Sequence, residues 1–150
     1  MGFKVAMNTL DSARVGIAAQ AMGVAQGALD EAVKYTKQRV QFGKTLSKFQ
    51  NTKFTIADME TKVCAARLLV YDAAEKKDAN MKIEKEGSMA KFYAAEVANE
   101  VAYKSLQLHG GYGYMKDYPI ERMYRDARIL SIYEGTSQVQ QMIIGGHVLK

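Results

Sequence analysis

The chain has 150 residues, 48% of them apolar and 25% charged. That composition supports one sizeable core and excludes a disordered chain. Its net charge of +5 is modest for a nucleic-acid binder, and its single cysteine, Cys64, excludes an intrachain disulfide and suits a reducing compartment. The longest uncharged run, Val15 to Leu29, is broken by Gln20 and Gln26, so no membrane span is predicted, and no signal peptide is visible.

One proline and abundant alanine and methionine favour long helices. A first helix is predicted over 3–38. Leu10, Ala13, Ile17, Ala21, Val24, Ala28, Ala32 and Tyr35 step by three or four along it. Small residues in its middle (Ala18, Ala19, Gly23, Ala25, Gly27) would let another helix approach closely. Asp11 and Arg14 are spaced to pair along one face, either as a surface ion pair or toward a ligand.

Residues 39–50 break the pattern. Gly43 suits a left-handed turn position. Ser47 and Gln50 fit an S-x-x-Q capping box that would open the next helix. Arg39 and Phe42 flank the turn, a guanidinium and a ring able to hold a phosphate and stack on a ligand. The basic run Lys34 to Lys53 contains no acid and reads either as a phosphate-attracting patch or as a solvated face.

A second helix is predicted over 48–78, with Ile56, Met59, Val63, Ala66, Val70 and Ala73 as its seam. Cys64 within it reads as a small core residue. A polar link at 79–82 is short enough to make the next helix an antiparallel neighbour. That third helix is expected over 83–108, burying Ala90, Ala94, Val97 and Val101. It ends in Gln107-Leu108-His109-Gly110-Gly111-Tyr112-Gly113-Tyr114, where paired glycines stop a helix and allow close backbone approach. With no strand before it, this is not a Rossmann fingerprint. His109 and His147 have no metal-ligand spacing, so no metal is predicted. Pro119 opens a short helix whose Glu121, Arg122, Arg125, Asp126 and Arg128 would form a salt-bridged surface.

The stretch Ile132-Tyr133-Glu134-Gly135-Thr136-Ser137-Gln138-Val139-Gln140 precedes a last helix ending near Leu149. Ser137 and Gln140 again fit a capping box. Glu134 stands before the positive end of that helix, flanked by apolar residues. It is either a positioned base or a carboxylate at a helix entrance.

Three segments, Arg39-x-x-Phe42-Gly43-x-x-Leu46, Gln107-x-x-Gly110-Gly111-x-Gly113-Tyr114 and Tyr133-Glu134-Gly135-Thr136-Ser137, occur in this order and spacing. Together they resemble the C-terminal helical domain of acyl-CoA dehydrogenases of the short-chain or butyryl type, over essentially the whole chain. The resemblance implies an all-α, up-down four-helix bundle with a short extra helix before the last. It implies FAD as cofactor and α,β-dehydrogenation of a fatty acyl-CoA. Glu134 would be the catalytic base, removing the α-proton while the β-hydrogen leaves as hydride. The flavin contacts it carries over are Arg39, Gln41, Phe42, Gln50, Gln107, Gly111, Thr136 and Gln138. Asp11, Arg14 and Gly135 match positions near the acyl-CoA. Some relatives carry the base one residue before the counterpart of Arg14, but that position is Ala13 here.

The resemblance also implies a homo-oligomer, with flavin contacts made across subunits. An electron-transferring flavoprotein would accept the electrons, in a bacterial cytoplasm or a mitochondrial matrix. Complete enzymes of the family carry an N-terminal helical domain and a middle β-domain, so 1–150 reads as a single bundle domain of a longer protein. The competing expectation is a self-associating helical module that binds no flavin. Nucleic-acid binding through Lys34 to Lys53 is the remaining alternative.

Overall fold

The computed structural model describes residues 2–150, apart from the side chains of Phe3, Lys4, Met7 and Asn8. Five helices form the body: α1 (Gly2–Gln38), α2 (Gln50–Asp78), α3 (Glu84–His109), α4 (Ile120–Ala127) and α5 (Ser137–Val148). The fold is all-α, as predicted, apart from a two-residue-per-strand hairpin, β1 (Val40–Gln41) paired antiparallel with β2 (Lys44–Thr45).

The hairpin replaces the plain turn expected at 39–50. Phe42 and Gly43 both have positive φ, 52° and 76°, the mirror-image turn that matches the twist of a two-residue hairpin. The glycine is at home there, whereas the phenylalanine is held there at a cost of roughly 1–2 kcal/mol. The predicted Ser47–Gln50 cap does not form. A turn of 3-10 helix at Leu46–Lys48 intervenes, the Ser47 hydroxyl bonds Thr45 at 3.0 Å, and α2 opens after Phe49 without a side-chain cap.

α1 and α3 run parallel and touch directly. Gly87 lies beside Asp11 and Arg14, where an added Cβ would sit 3.5 Å from the Asp11 carbonyl. Eighteen residues further along α3, the Ser105 hydroxyl donates to the Ala28 carbonyl at 2.7 Å. Such an approach requires small side chains on both helices. Ala18, Ala21, Ala25, Ala28 and Ala32 supply them on α1; Ala94, Ala95, Ala98 and Ala102 supply them on α3, all fully buried. The contact line on α1 keeps Ala21, Ala28, Ala32 and Tyr35 of the predicted stripe and takes in the small residues Ala18 and Ala25, whereas Leu10, Ala13, Ile17 and Val24 are only half buried.

α2 runs antiparallel to α3, with Lys76 reaching Glu86 at one end and Lys104 reaching Asp58 at the other. Its predicted seam holds, since Met59, Val63, Ala66, Val70 and Ala73 are buried, with Ile56 half buried. Met59, at 0% exposure, contributes about 1.5–3 kcal/mol by that burial. Cys64, expected in the core, is exposed. It follows Val63 by about 100° of helix rotation, which turns it away from the seam. α4 leans on α3 and α1, and its predicted surface pair forms between Glu121 and Arg125 at 2.9 Å. α5 is the fourth long helix and runs antiparallel to α3, tied by Ser137 to Glu96 and by His147 to Glu84.

Candidate functional site

Between α4 and α5 the chain turns through a tight elbow. A 3-10 turn at Arg128–Ser131 ends with the Ile132 and Tyr133 amides bonded to the Ile129 carbonyl. The Tyr133 hydroxyl donates to Gln20 on α1 at 2.6 Å. Burial raises the Tyr133 phenol above its usual range against that hydrogen bond, and the nearby Glu134 charge adds to the rise. Glu134 and Gly135 then both adopt positive φ, 54° and 93°. A non-glycine residue in this region stores roughly 1–3 kcal/mol of strain, and such residues concentrate at functional positions.

The elbow is held from two helices. Gln140 of α5 is fully buried, and its Nε2 donates to the carbonyls of Glu134 and Gly135, each at 3.1 Å. Lys91 of α3 is also fully buried, and its Nζ donates to the Gly135 carbonyl at 2.7 Å. The Ser137–Gln140 capping box does not form. Thr136 is the cap, extended at φ −60°, ψ 163°, and its hydroxyl accepts from the Val139 amide. Ser137 is already helical and donates to Glu96, while Gln140 spends its amide nitrogen on the two upstream carbonyls. The Glu134 side chain is half buried within this chain.

Asp11 and Arg14 pair as the spacing predicted, Nη1 to Oδ1 at 2.6 Å, with Arg14 buried. Burial lifts the Asp11 carboxyl above its ordinary range, opposed by the Arg14 guanidinium and reinforced by Glu84. Arg14 and Glu134 share a neighbour in Lys91. Burial lowers the Lys91 ammonium below its ordinary range; the charges of Glu96 and Glu134 oppose that shift and the charge of Arg14 adds to it. The Asp11–Arg14 pair and the Glu134–Gly135 elbow thus belong to one neighbourhood.

A second location lies at the other end of α3. A cavity of ≈ 550 Å³ is lined by Tyr35, Arg39, Gln41, Gln107, Gly111 and Tyr112, among others. Arg39 lies 5.0 Å over the Tyr112 ring and has no carboxylate partner among the described residues. Gly110 and Gly111 have open space where a Cβ would stand. His109 forms part of the wall, stacked on Tyr35 at 4.2 Å. Its Nδ1 donates to the Ser105 carbonyl, leaving a buried Nε2 lone pair with no partner among the described residues. The unpaired guanidinium suits an anionic group, the aromatic faces and bare glycine backbone suit a ring laid against them, and the orphaned His109 acceptor calls for an N–H or O–H donor on that ligand.

The other predicted contacts fall elsewhere. Phe42 sits at the hairpin tip, 90% exposed, and Gln50 is exposed at the first position of α2. Gln138 lines a separate polar cavity of ≈ 370 Å³ with Glu96, Asn99, Arg128, Ser131 and Ser137. The described cavities do not join Arg39 to Glu134. Within the basic run, Lys34, Lys37, Lys44, Lys48 and Lys53 are exposed, whereas Arg39 faces the cavity.

Lys91, Gln140 and His109 were missed as site-forming residues. Gln140 was hidden by a plausible local capping role. Lys91 carries a readable signal, because it stands in register with Gly87, Ser88, Ala94, Ala95 and Ala98, a lone lysine in a stripe of small residues.

The family whose model matches this chain is described as the acyl-CoA dehydrogenase C-terminal domain, and the match covers residues 1–149. The chain is 61% identical to the caffeyl-CoA reductase-Etf complex subunit CarC of Acetobacterium woodii, over 99% of this chain and 39% of that protein. It is 51% identical to the mitochondrial short-chain specific acyl-CoA dehydrogenase of Rattus norvegicus, over 100% of this chain and 36% of that protein. The structure of butyryl-CoA dehydrogenase from Megasphaera elsdenii superposes with a TM-score of 0.98 at 52% identity, covering 99% of this chain and 39% of that one. The chain thus spans about two fifths of the length of the curated relatives it matches. A whole-length family match, the superposition and the three motifs agree, and the chain belongs to the acyl-CoA dehydrogenase family as a C-terminal domain.

Proposed function

We propose that this chain is the base-bearing and oligomerisation domain of an FAD-dependent enzyme acting on the α,β carbon–carbon bond of an acyl-CoA thioester, and that the rest of that enzyme lies outside residues 1–150. The observation that carries the reading is the elbow. Glu134 occupies a strained left-handed position, with its own carbonyl and that of Gly135 tied back by buried donors. That leaves its carboxylate on a short, stiff mount, and a thioester α-proton is weakly acidic enough to need a base so held.

In this reading Glu134 takes the α-proton, and its main-chain N–H is directed at the thioester oxygen as charge develops there. The Asp11–Arg14 pair and Gly135 border the acyl-CoA. Bound FAD would supply the hydride acceptor. Arg39, Gln41, Gln107 and Gly111 would hold it at the cavity by α3, and Thr136 and Gln138 would hold it beside the elbow. Phe42 and Gln50 face outward in one chain, which fits contacts to cofactor held by another copy. The half-buried Glu134 would be shielded further by substrate and by the parts of the enzyme beyond this chain.

Relatives named as reductases and as dehydrogenases are both similar to this chain. The same carboxyl can remove the α-proton in one direction and return it in the other. The relative whose name includes an Etf complex supports an electron-transferring flavoprotein as redox partner. Bacterial cytoplasm or mitochondrial matrix is the proposed location. The test is Glu134→Gln in the complete flavoprotein. Flavin content is expected to persist and acyl-CoA turnover to be lost; full turnover would reject the base.

A second reading is favoured by α2, whose outer face exposes Phe54, Cys64, Leu68 and Tyr71. It takes the chain as a self-associating bundle without activity of its own. Flavin content of the complete protein separates the two: the first reading expects bound FAD, the second none.

A further inference from the structure

Lys91 presents a problem that the base-bearing role of the domain does not solve. A fully buried ammonium is expected to have a carboxylate partner, because taking the charge out of water is otherwise unfavourable. Lys91 is 0% exposed and makes no ion pair among the described residues. Its hydrogen bond goes to a backbone carbonyl, that of Gly135. The titratable groups whose charges reach it are Arg14 from α1, Glu96 from its own helix and Glu134 from the elbow. An apolar residue among Gly87, Ser88, Ala94 and Ala95 would have avoided the desolvation altogether. The lysine is therefore best explained by what it holds.

What it holds is the carbonyl of Gly135, the residue immediately after Glu134. A non-glycine residue such as Glu134 keeps a left-handed conformation where its surroundings hold it there. Here Gln140 binds both carbonyls from α5, and Lys91 binds the second from α3, 44 positions away in sequence. Gln140 lies only five or six residues from its targets and moves with the elbow. Lys91 anchors the elbow to α3, which packs against α1, α2, α4 and α5 and touches α1 at Arg14.

We propose that Lys91 is a positioning residue for Glu134: through the Gly135 carbonyl it fixes the elbow that aims the carboxylate, without touching substrate itself. This rests on the reading of Glu134 as the base.

The test compares Lys91→Met, Lys91→Gln and Glu134→Gln in the complete, FAD-loaded enzyme, and also follows amide hydrogen exchange over residues 132–138 of the flavin-free protein. Lys91→Met is expected to retain flavin and KM within about twofold while kcat falls about 10–100-fold, the range for a lost supporting contact or a misplaced reacting group. Exchange across the elbow should rise about tenfold or more, with the α1–α3 seam unchanged. Lys91→Gln, which keeps a donor without the charge, should recover part of kcat and part of the protection. An unchanged kcat in Lys91→Met overturns the assignment, whatever the exchange shows. So does a Met variant that fails to fold and is not recovered by Gln, since Lys91 is then structural only. Full turnover in Glu134→Gln rejects the base; loss there alongside full turnover in Lys91→Met rejects only the positioning role.

Discussion

Replacing Gly135 by alanine is expected to damage the elbow in two ways. Its φ of 93° lies in the left-handed half of backbone space, where a Cβ costs roughly 1–2 kcal/mol. The added Cβ would also stand 2.6 Å from Gln140 Nε2 and 3.4 Å from Val139 Cγ1. Gln140 is fully buried, and moving its amide aside forfeits the bonds to the Glu134 and Gly135 carbonyls. Each of those is worth about 1 kcal/mol. Together the terms predict a loss of about 3–4 kcal/mol, read as the change in unfolding free energy from urea titration. A Gln140→Ala background separates them. With the obstructing amide gone, the alanine penalty should shrink to the backbone share of about 1–2 kcal/mol. A Gly135→Ala protein within about 0.5 kcal/mol of the parent, the range of a neutral surface change, would refute the account of how the elbow is held.

Two pH effects follow from other parts of the bundle. Burial pushes the His109 imidazole below its usual range, so folding favours its neutral form; that stabilisation is complete above about pH 6.5 and is lost as pH falls. His109→Phe, which keeps a ring against Tyr35, should remove up to about 1.4 kcal/mol per pH unit from the slope of stability between pH 6.5 and 5, measured by denaturation at each pH. Between α2 and α3, Asp58 and Glu100 are held below the usual carboxylate range by hydrogen bonds from Lys104 and Lys62. Their contribution is present above about pH 4 and disappears on further acidification. The four side chains are about a third exposed, so the network adds only about 1 kcal/mol. Glu100→Gln should cost about that much at pH 7 and little in high salt, as thermal melts across a salt series would show.

The parts of this molecule that read directly from sequence are those whose cause is local. α2 and α3 show their seams because large apolar residues such as Met59, Val63 and Val101 recur at helical spacing and meet a neighbour on that face. α1 is legible in part: Ala21, Ala28 and Ala32 of the expected stripe are buried, but hydropathy also weights Leu10, Ile17 and Val24, whereas the closest contact is made by alanines. Their value there is shortness, which lets Ser105 reach the Ala28 carbonyl at 2.7 Å. Ser137 shows a related failure. Thr136 and Ser137 are adjacent and either can cap a helix, and the choice falls to Thr136 while Glu96, 41 positions away, takes the serine hydroxyl. The candidate site divides in the same way. Glu134, Gly135 and Thr136 are legible as a motif because one short segment contains them. The groups that hold the segment in place, Lys91 and Gln20, come from other helices and contribute long polar side chains that local propensity assigns to the surface. A carboxylate can therefore be nominated as a base from its neighbours in sequence, but the stiffness that the proposed role requires is a property of packed helices.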